Sequence, residues 1–553
     1  MSRVEIHHLW AKIAVLLGGT LLAGQAQAQA DPASIERTIP VLSDEKREAG
    51  PAQSRAVNMS RTSSVGISET FVLSAVNITG ATQFEPRRLA SAFEPKLATT
   101  VGPEELAQIA DAITAIYHEA GYHLSYAVIP QQSVQSGILT IRVVESYVAD
   151  VTVEAPAPSK AAVLRLVERL KSERPLKTAT LNRVLGLVRD IPGITIEDVQ
   201  VARFLEDPAR QRLTIKAAGQ RYSGFLFGDN RGTIPGARAR LYSSGVANSL
   251  LTPGDQFQVD VFGIPSDRFQ FGYAQLKASI PVGWNGVRVG GRASASRQRQ
   301  ELDGPDQLGR SRQIRADLSY ALRTTNKETL IASLALTDGF SREHRDGVTN
   351  IRDRVQTMRT GLEYIRRGPV YFLARLDLVK GLDLGDATTN GDPLASRPGA
   401  GARFAKALLD MQLVTAISPK ITTRLELSGQ LATAPLLAAE EFALGGGRIG
   451  RAFDYNVASG DHGVGAMWEV AYRLAGVPSP FSNVDLFGYL EAGVTDRIRE
   501  RHEVAPDGAI TGAGVGTRFK LLNMMVSAEA GIPIASSREQ KGPRAFISLS
   551  RIF

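Results

Sequence analysis

Residues Gly445, Gly446, Gly447, Arg448, Ile449, Gly450, Arg451, Ala452, Phe453 and Asp454 form a glycine-rich turn. Ser459, Gly460, Asp461, His462 and Gly463 follow it as a second tight turn. The chemistry on offer is electrostatic. A guanidinium held on an enclosed loop stays charged and must find an acidic mate. Asp461 beside His462 has the residue types of a catalytic pair, but two residues in a glycine-flanked turn read as a turn. The seven histidines are scattered, with none at ligand spacing. No phosphate-binding loop, paired-histidine zinc motif or nucleophile elbow occurs. Neither enzyme activity nor a metal nor another cofactor is therefore expected.

The elements that position Arg451 begin with export. Residues 1–30 read as a signal peptide: Arg3 and Lys12 precede an apolar run, and Ala26, Ala28 and Ala30 supply small residues for cleavage. The apolar run is shorter than the ~20 residues of a spanning helix. The 553 residues include 52 glycines and no cysteine, with 22% charged residues and a formal net charge of +8. This composition suits an exported β-protein, either a transmembrane barrel or a large periplasmic domain. Export and the lack of a concentrated basic tract argue against nucleic acid as a partner.

Asp31 and Pro32 begin a short helix over 31–39, and polar residues 40–68 have linker composition. A strand is expected over 71–78, a short helix over 85–93 and a clear helix over 103–120. In the last, Pro103 stands at the start, Glu104 and Glu105 suit the dipole, and Gly121 ends it. Strands are expected over 125–129 and 138–144. The order then repeats over 148–217, making two β-α-α-β-β units, 69–146 and 147–218. From 219 to 553 helical periodicity gives way to short alternating segments. Turns or long charged stretches, such as 297–311 and 381–397, separate those segments. That alternation is the trace of an outer-membrane barrel.

Tyr117, Gly121 and Tyr122, then Pro130 and Gln131, then Gly137 and Glu145, resemble the first POTRA domain of two-partner secretion transporters. These are the haemolysin secretion/activation proteins of the Gram-negative outer membrane. The second unit resembles their second POTRA domain. The resemblance implies two periplasmic α/β POTRA domains before an antiparallel transmembrane β-barrel of about sixteen strands. Gly450, Arg451, Ala452 and Phe453 resemble the family's Val-Arg-Gly-aromatic signature on the sixth extracellular loop, which folds into the lumen; Asp461 belongs to its continuation. Gly450 and Ala452 depart from that signature.

The family's acidic partner lies in an aromatic-x-Asp-x-Gly strand, which Tyr489, Glu491 and Gly493 resemble with Glu for Asp. A bidentate Arg451–Glu491 pair is therefore expected. Terminal Phe553 resembles the signal read by the barrel assembly machinery. The resemblance further implies an outer-membrane location, contact with its lipids, and a secreted client of the adhesin or haemolysin kind. The client would be captured unfolded in the periplasm and moved without nucleotide hydrolysis, with the 31–39 helix as a plug. An insertase of the same superfamily and a passive porin are the alternatives.

Overall fold

The structure, a computed structural model, describes residues 66–232, 238–266, 269–300, 307–498, 508–537, 540 and 542–553. The expected signal peptide, the 31–39 helix and residues 40–65 of the linker lie outside the described residues.

The first unit builds a three-stranded sheet in the order Ala75–Thr79, Ile138–Val144, Tyr126–Val128, the first pair parallel and the second antiparallel. The single strand expected over 71–78 is two. Phe71–Val72 pairs with Thr100–Val101, and the chain then changes partners at Leu73 and Ser74. Leu73 is fully buried, and the Ser74 N–H donates to the Gly137 carbonyl at 2.8 Å, so packing turns the strand.

Two helices cover the sheet, α1 (Pro86–Ala90) and α2 (Pro103–Glu119). Leu106, Ile109, Ala110, Ile113 and Tyr117 form the buried stripe of α2 at helical spacing. The Glu105 carboxylate accepts the Gly102 N–H at 2.9 Å, satisfying one orphan donor of the first turn. That backbone bond is the main cause holding the Glu105 carboxyl below the usual range. Gly121, at φ +91°, turns the chain out of the helix.

The second unit has the same topology: Tyr147–Glu154, Arg210–Gly219, Ile194–Arg203, parallel then antiparallel. Its helices are α3 (Ala157–Val167), extended by a 3₁₀ turn over Glu168–Ser172, and α4 (Thr178–Arg189). Val163, Val167, Leu170, Leu213 and Ile215 are its core, and Ala321 from the barrel packs into it.

Sixteen antiparallel strands close the barrel, from Tyr222–Asp229 to Arg544–Ile552. The last pairs with the first from Ser548↔Asp229 to Ile552↔Phe225. No helix among the described residues is long and apolar enough to cross a membrane. Ile314, Leu336 and Val515 face outward, while Ser311, Gln412 and Glu469, in alternate register, are enclosed. Turns at the end carrying the N-terminal units are short, as at Leu522 and Asn523. The connections at the other end range from two residues, 346–347, to the long sixth, 433–461.

The charged stretch 297–311, expected as a loop, is mostly strand. Val287–Gln300 and Gln307–Thr324 pair through it, with Arg297 opposite Arg310. It reads as loop because both faces are polar there, where the strands leave the apolar layer.

Helix α4 joins the second unit to the barrel. Arg183 donates to the carbonyls of Asn285, Ala321 and Leu322 at 3.1, 3.2 and 3.1 Å. Arg189 donates to the Thr325 carbonyl at 2.7 Å. Gly186 lets the helix come this close: a Cβ there would stand 2.6 Å from Thr324 Oγ1.

Candidate functional site

The sixth loop, 433–461, descends into the barrel. Its tip is shaped by three left-handed glycines, Gly445, Gly446 and Gly450, at φ +101°, +103° and +96°. Gly450 is required twice over, since a Cβ would also lie 2.5 Å from Gly445 Cα. That explains why the family's Val is absent: no β-branched residue fits this backbone. Ala452, where the family has Gly, is fully buried, with its Cβ facing the bare backbones of Gly512 and Gly531.

The expected Arg451–Glu491 ion pair is not what forms. The Glu491 carboxylate instead accepts three successive backbone N–H groups, from Gly450 (2.7 Å), Arg451 (2.7 Å) and Ala452 (2.9 Å). The positive φ of Gly450 turns these donors to one side, making a concave anion nest. With Glu491 filled by the backbone, the Arg451 guanidinium passes beyond it to two other carboxylates. Nη1 donates to Glu469 Oε2 at 2.6 Å, and Nη2 donates to Glu529. The guanidinium also lies over the rings of Tyr489 and Phe487, at 4.3 and 5.2 Å.

Both acids have a second cation: Arg518 for Glu469 and Arg231 for Glu529. Arg231 Nη1 also donates to the Arg451 carbonyl at 2.7 Å. Three arginines thus share two enclosed carboxylates, while backbone donors satisfy Glu491 beside them, so no buried charge among these is left without a partner.

Arg448 reaches Asp410 (2.8 Å) and Glu426 (3.2 Å) on the wall, and Arg544 holds Asp454 at 2.5 Å. Phe453 is buried with Ile449, Met467 and Ile510. Inward Gly512, Gly514 and Gly516 leave the seat for the tip: Cβ atoms there would strike Phe453, Tyr489 and Phe487. Gly493 likewise makes room for Leu444 of the loop.

Asp461 acts at the loop's base. It is fully buried, and Arg397 Nη1 donates to both its oxygens at 2.7 Å. The N–H groups of Leu436 and Ile498 complete its shell. His462 instead accepts the Ala432 N–H at 3.2 Å, so the two neighbours serve different contacts.

The family profile described as "Haemolysin secretion/activation protein ShlB/FhaC/HecB" matches residues 213–519, more than half of the chain. The chain belongs to that family. A second profile, "POTRA domain, ShlB-type", matches residues 71–146. CdiB from Escherichia coli is similar in structure at TM-score 0.74 and 17% identity, covering 97% of this chain and 100% of its own. CdiB from Acinetobacter baumannii follows at TM-score 0.63 and 15% identity, with 99% and 97% covered. No curated protein matches the chain in sequence.

Within the POTRA domain the motif residues meet at one place. Tyr117 is fully buried and its hydroxyl donates to Glu145 at 2.7 Å. Glu145 also accepts the N–H groups of Thr82 and Gln83 at 2.7 and 3.0 Å. Burial, then the neighbouring Glu145, pushes the Tyr117 hydroxyl well above its ordinary pKa. Tyr122 donates to Gln83 at 3.1 Å, and Phe84 packs edge-on to Tyr117. The Gly121 carbonyl accepts the Thr178 N–H at 2.9 Å, tying the domain to the start of α4.

Pro130 and Gln131 are exposed and lie apart from this cluster; the chain at Gly66 runs beside them. Phe553 exchanges backbone hydrogen bonds with Gly224 across the seam, with its ring on the outward face.

Sequence reasoning found Arg451 and missed Glu469, Glu529, Arg231 and the Arg397–Asp461 pair. One signal was present for the acids: each sits singly between outward apolar neighbours, as in Trp468-Glu469-Val470 and Ala528-Glu529-Ala530.

Proposed function

We propose that this outer-membrane barrel exports one large exoprotein, with the N-terminal units in the periplasm. The observation that carries the reading is the sixth loop, bound inside the lumen of a family barrel through Arg451 and Glu491. A lumen filled by a loop on charged and hydrogen-bonded anchors suits a pore that is opened by rearrangement. A permanently open solute channel would gain nothing from it. The client is taken up unfolded by adding segments to a sheet edge of the N-terminal units, such as Ala75–Thr79. It passes the barrel without nucleotide hydrolysis and folds outside.

Deleting the gene and comparing culture supernatants tests this. Loss of a single exoprotein is expected. General depletion of outer-membrane barrels would make the protein an insertase, and altered solute uptake alone would make it a porin.

A further inference from the structure

The outward face of four consecutive strands carries charge that the lumen does not use. Val287–Gln300, Gln307–Thr324, Glu328–Arg345 and Val348–Arg366 set Arg297 opposite Arg310, Arg310 opposite Arg342, and Arg342 opposite Arg352. All four arginines are exposed. Their direction follows from their neighbours. Ser296 and Ser311 are buried and share a hydrogen bond of 2.6 Å, and Ser341 lies opposite Ser311 on the same inner face. By alternation the arginines beside these serines point outward.

The same outward face, nearer the N-terminal units, carries Ile314, Leu336 and Met358, the exposed apolar residues of the lipid-facing band. Arg310 stands four residues beyond Ile314. Along a tilted strand that is a climb of about 10 Å, out of the hydrocarbon and into the headgroup layer.

Like charges directly opposite across strands repel, so a row of four calls for an anion. Among the described residues, Asp338 and Asp386 stand beside the row, and both are taken by Arg354. Arg312 and Arg342 flank the ring of Phe340 at 5.2 and 5.6 Å, which holds two planar forks on this face. Guanidinium forks match phosphate oxygens in pairs, where ammonium groups act as point charges.

We propose that this row binds the phosphates of an outer-leaflet lipid, a bisphosphorylated glycolipid headgroup of the lipid A type. The proposal rests on the orientation in the proposed function, which puts this end of the barrel at the cell surface.

The test uses the full chain in phosphatidylcholine nanodiscs containing lipid A, with bound lipid counted by native mass spectrometry. Wild-type protein should retain lipid A over phosphatidylcholine. R297Q/R310Q/R342Q/R352Q should weaken that retention at least ~10-fold, and salt should weaken the wild type more than the variant. Equal retention by wild type and variant overturns the proposal, as does wild-type indifference between the two lipids. If the fourfold variant does not reach a heat-resistant barrel, Arg310→Gln/Arg342→Gln carries the same comparison. Export is read separately: a wild-type barrel that binds lipid A but exports no client removes the transport reading and leaves this site standing.

Discussion

At the residue scale, Arg451 and Glu491 hold the same loop by independent contacts. Glu491 takes backbone donors, and the Arg451 side chain takes Glu469 and Glu529. Removing the guanidinium takes one of two cations from each carboxylate and leaves Arg518 and Arg231 in place, a loss of about 1.5–3 kcal/mol on the scale of hydrogen bonds to charged groups. A double-mutant cycle on loop docking, read by protease access to the tip, should therefore separate the partners. Arg451→Ala with Glu469→Ala should be strongly non-additive. Arg451→Ala with Glu491→Ala should be close to additive; coupling only in the second cycle would restore the ion pair expected from sequence. Gly450→Val should also release the tip, because a left-handed β-branched residue costs roughly 1–3 kcal/mol and its Cβ meets Gly445. Restoring the family's Val should thus raise tip cleavage in the same assay, and unchanged protection would contradict the geometry.

At the element scale, legibility followed whether a segment's environment was local. Helix α2 was readable because Pro103, the acidic first turn, the apolar stripe and Gly121 all lie within it. The break at Leu73 and Ser74 was not, because a partner more than sixty residues away, Gly137, imposes it. Arg451 was legible through its glycines. Its acids come from strands His462–Arg473 and Met524–Ser536, and nothing local distinguishes them from other lumen carboxylates. Helix α4 makes a prediction of its own. Gly186→Leu should push α4 off the turn at Thr324 and Thr325, because any side chain there meets barrel backbone within 3.0 Å. Hydrogen exchange in residues 178–189 should rise while the barrel strands stay protected; unchanged protection would show that the helix does not depend on this contact.

At the scale of the whole molecule, two small α/β units precede a closed sixteen-stranded barrel whose lumen is crossed by its own sixth loop. The N-terminal units meet at Gly121 and Thr178, and α4 clamps the second of them to the barrel turns, giving a continuous chain of contacts to the pore. The alternating barrel strands were legible as a class, while their extension past the apolar layer at Arg297–Gln300 was hidden by polar residues on both faces. What the molecule does depends on whether the loop anchored in the lumen matters for export. The direct measurement is the rate of client release by Arg451→Ala against wild type, at matched amounts of heat-resistant barrel. A fall of at least ~10-fold is predicted, on the scale of lost hydrogen bonds to charged groups. Export at the wild-type rate would contradict the account.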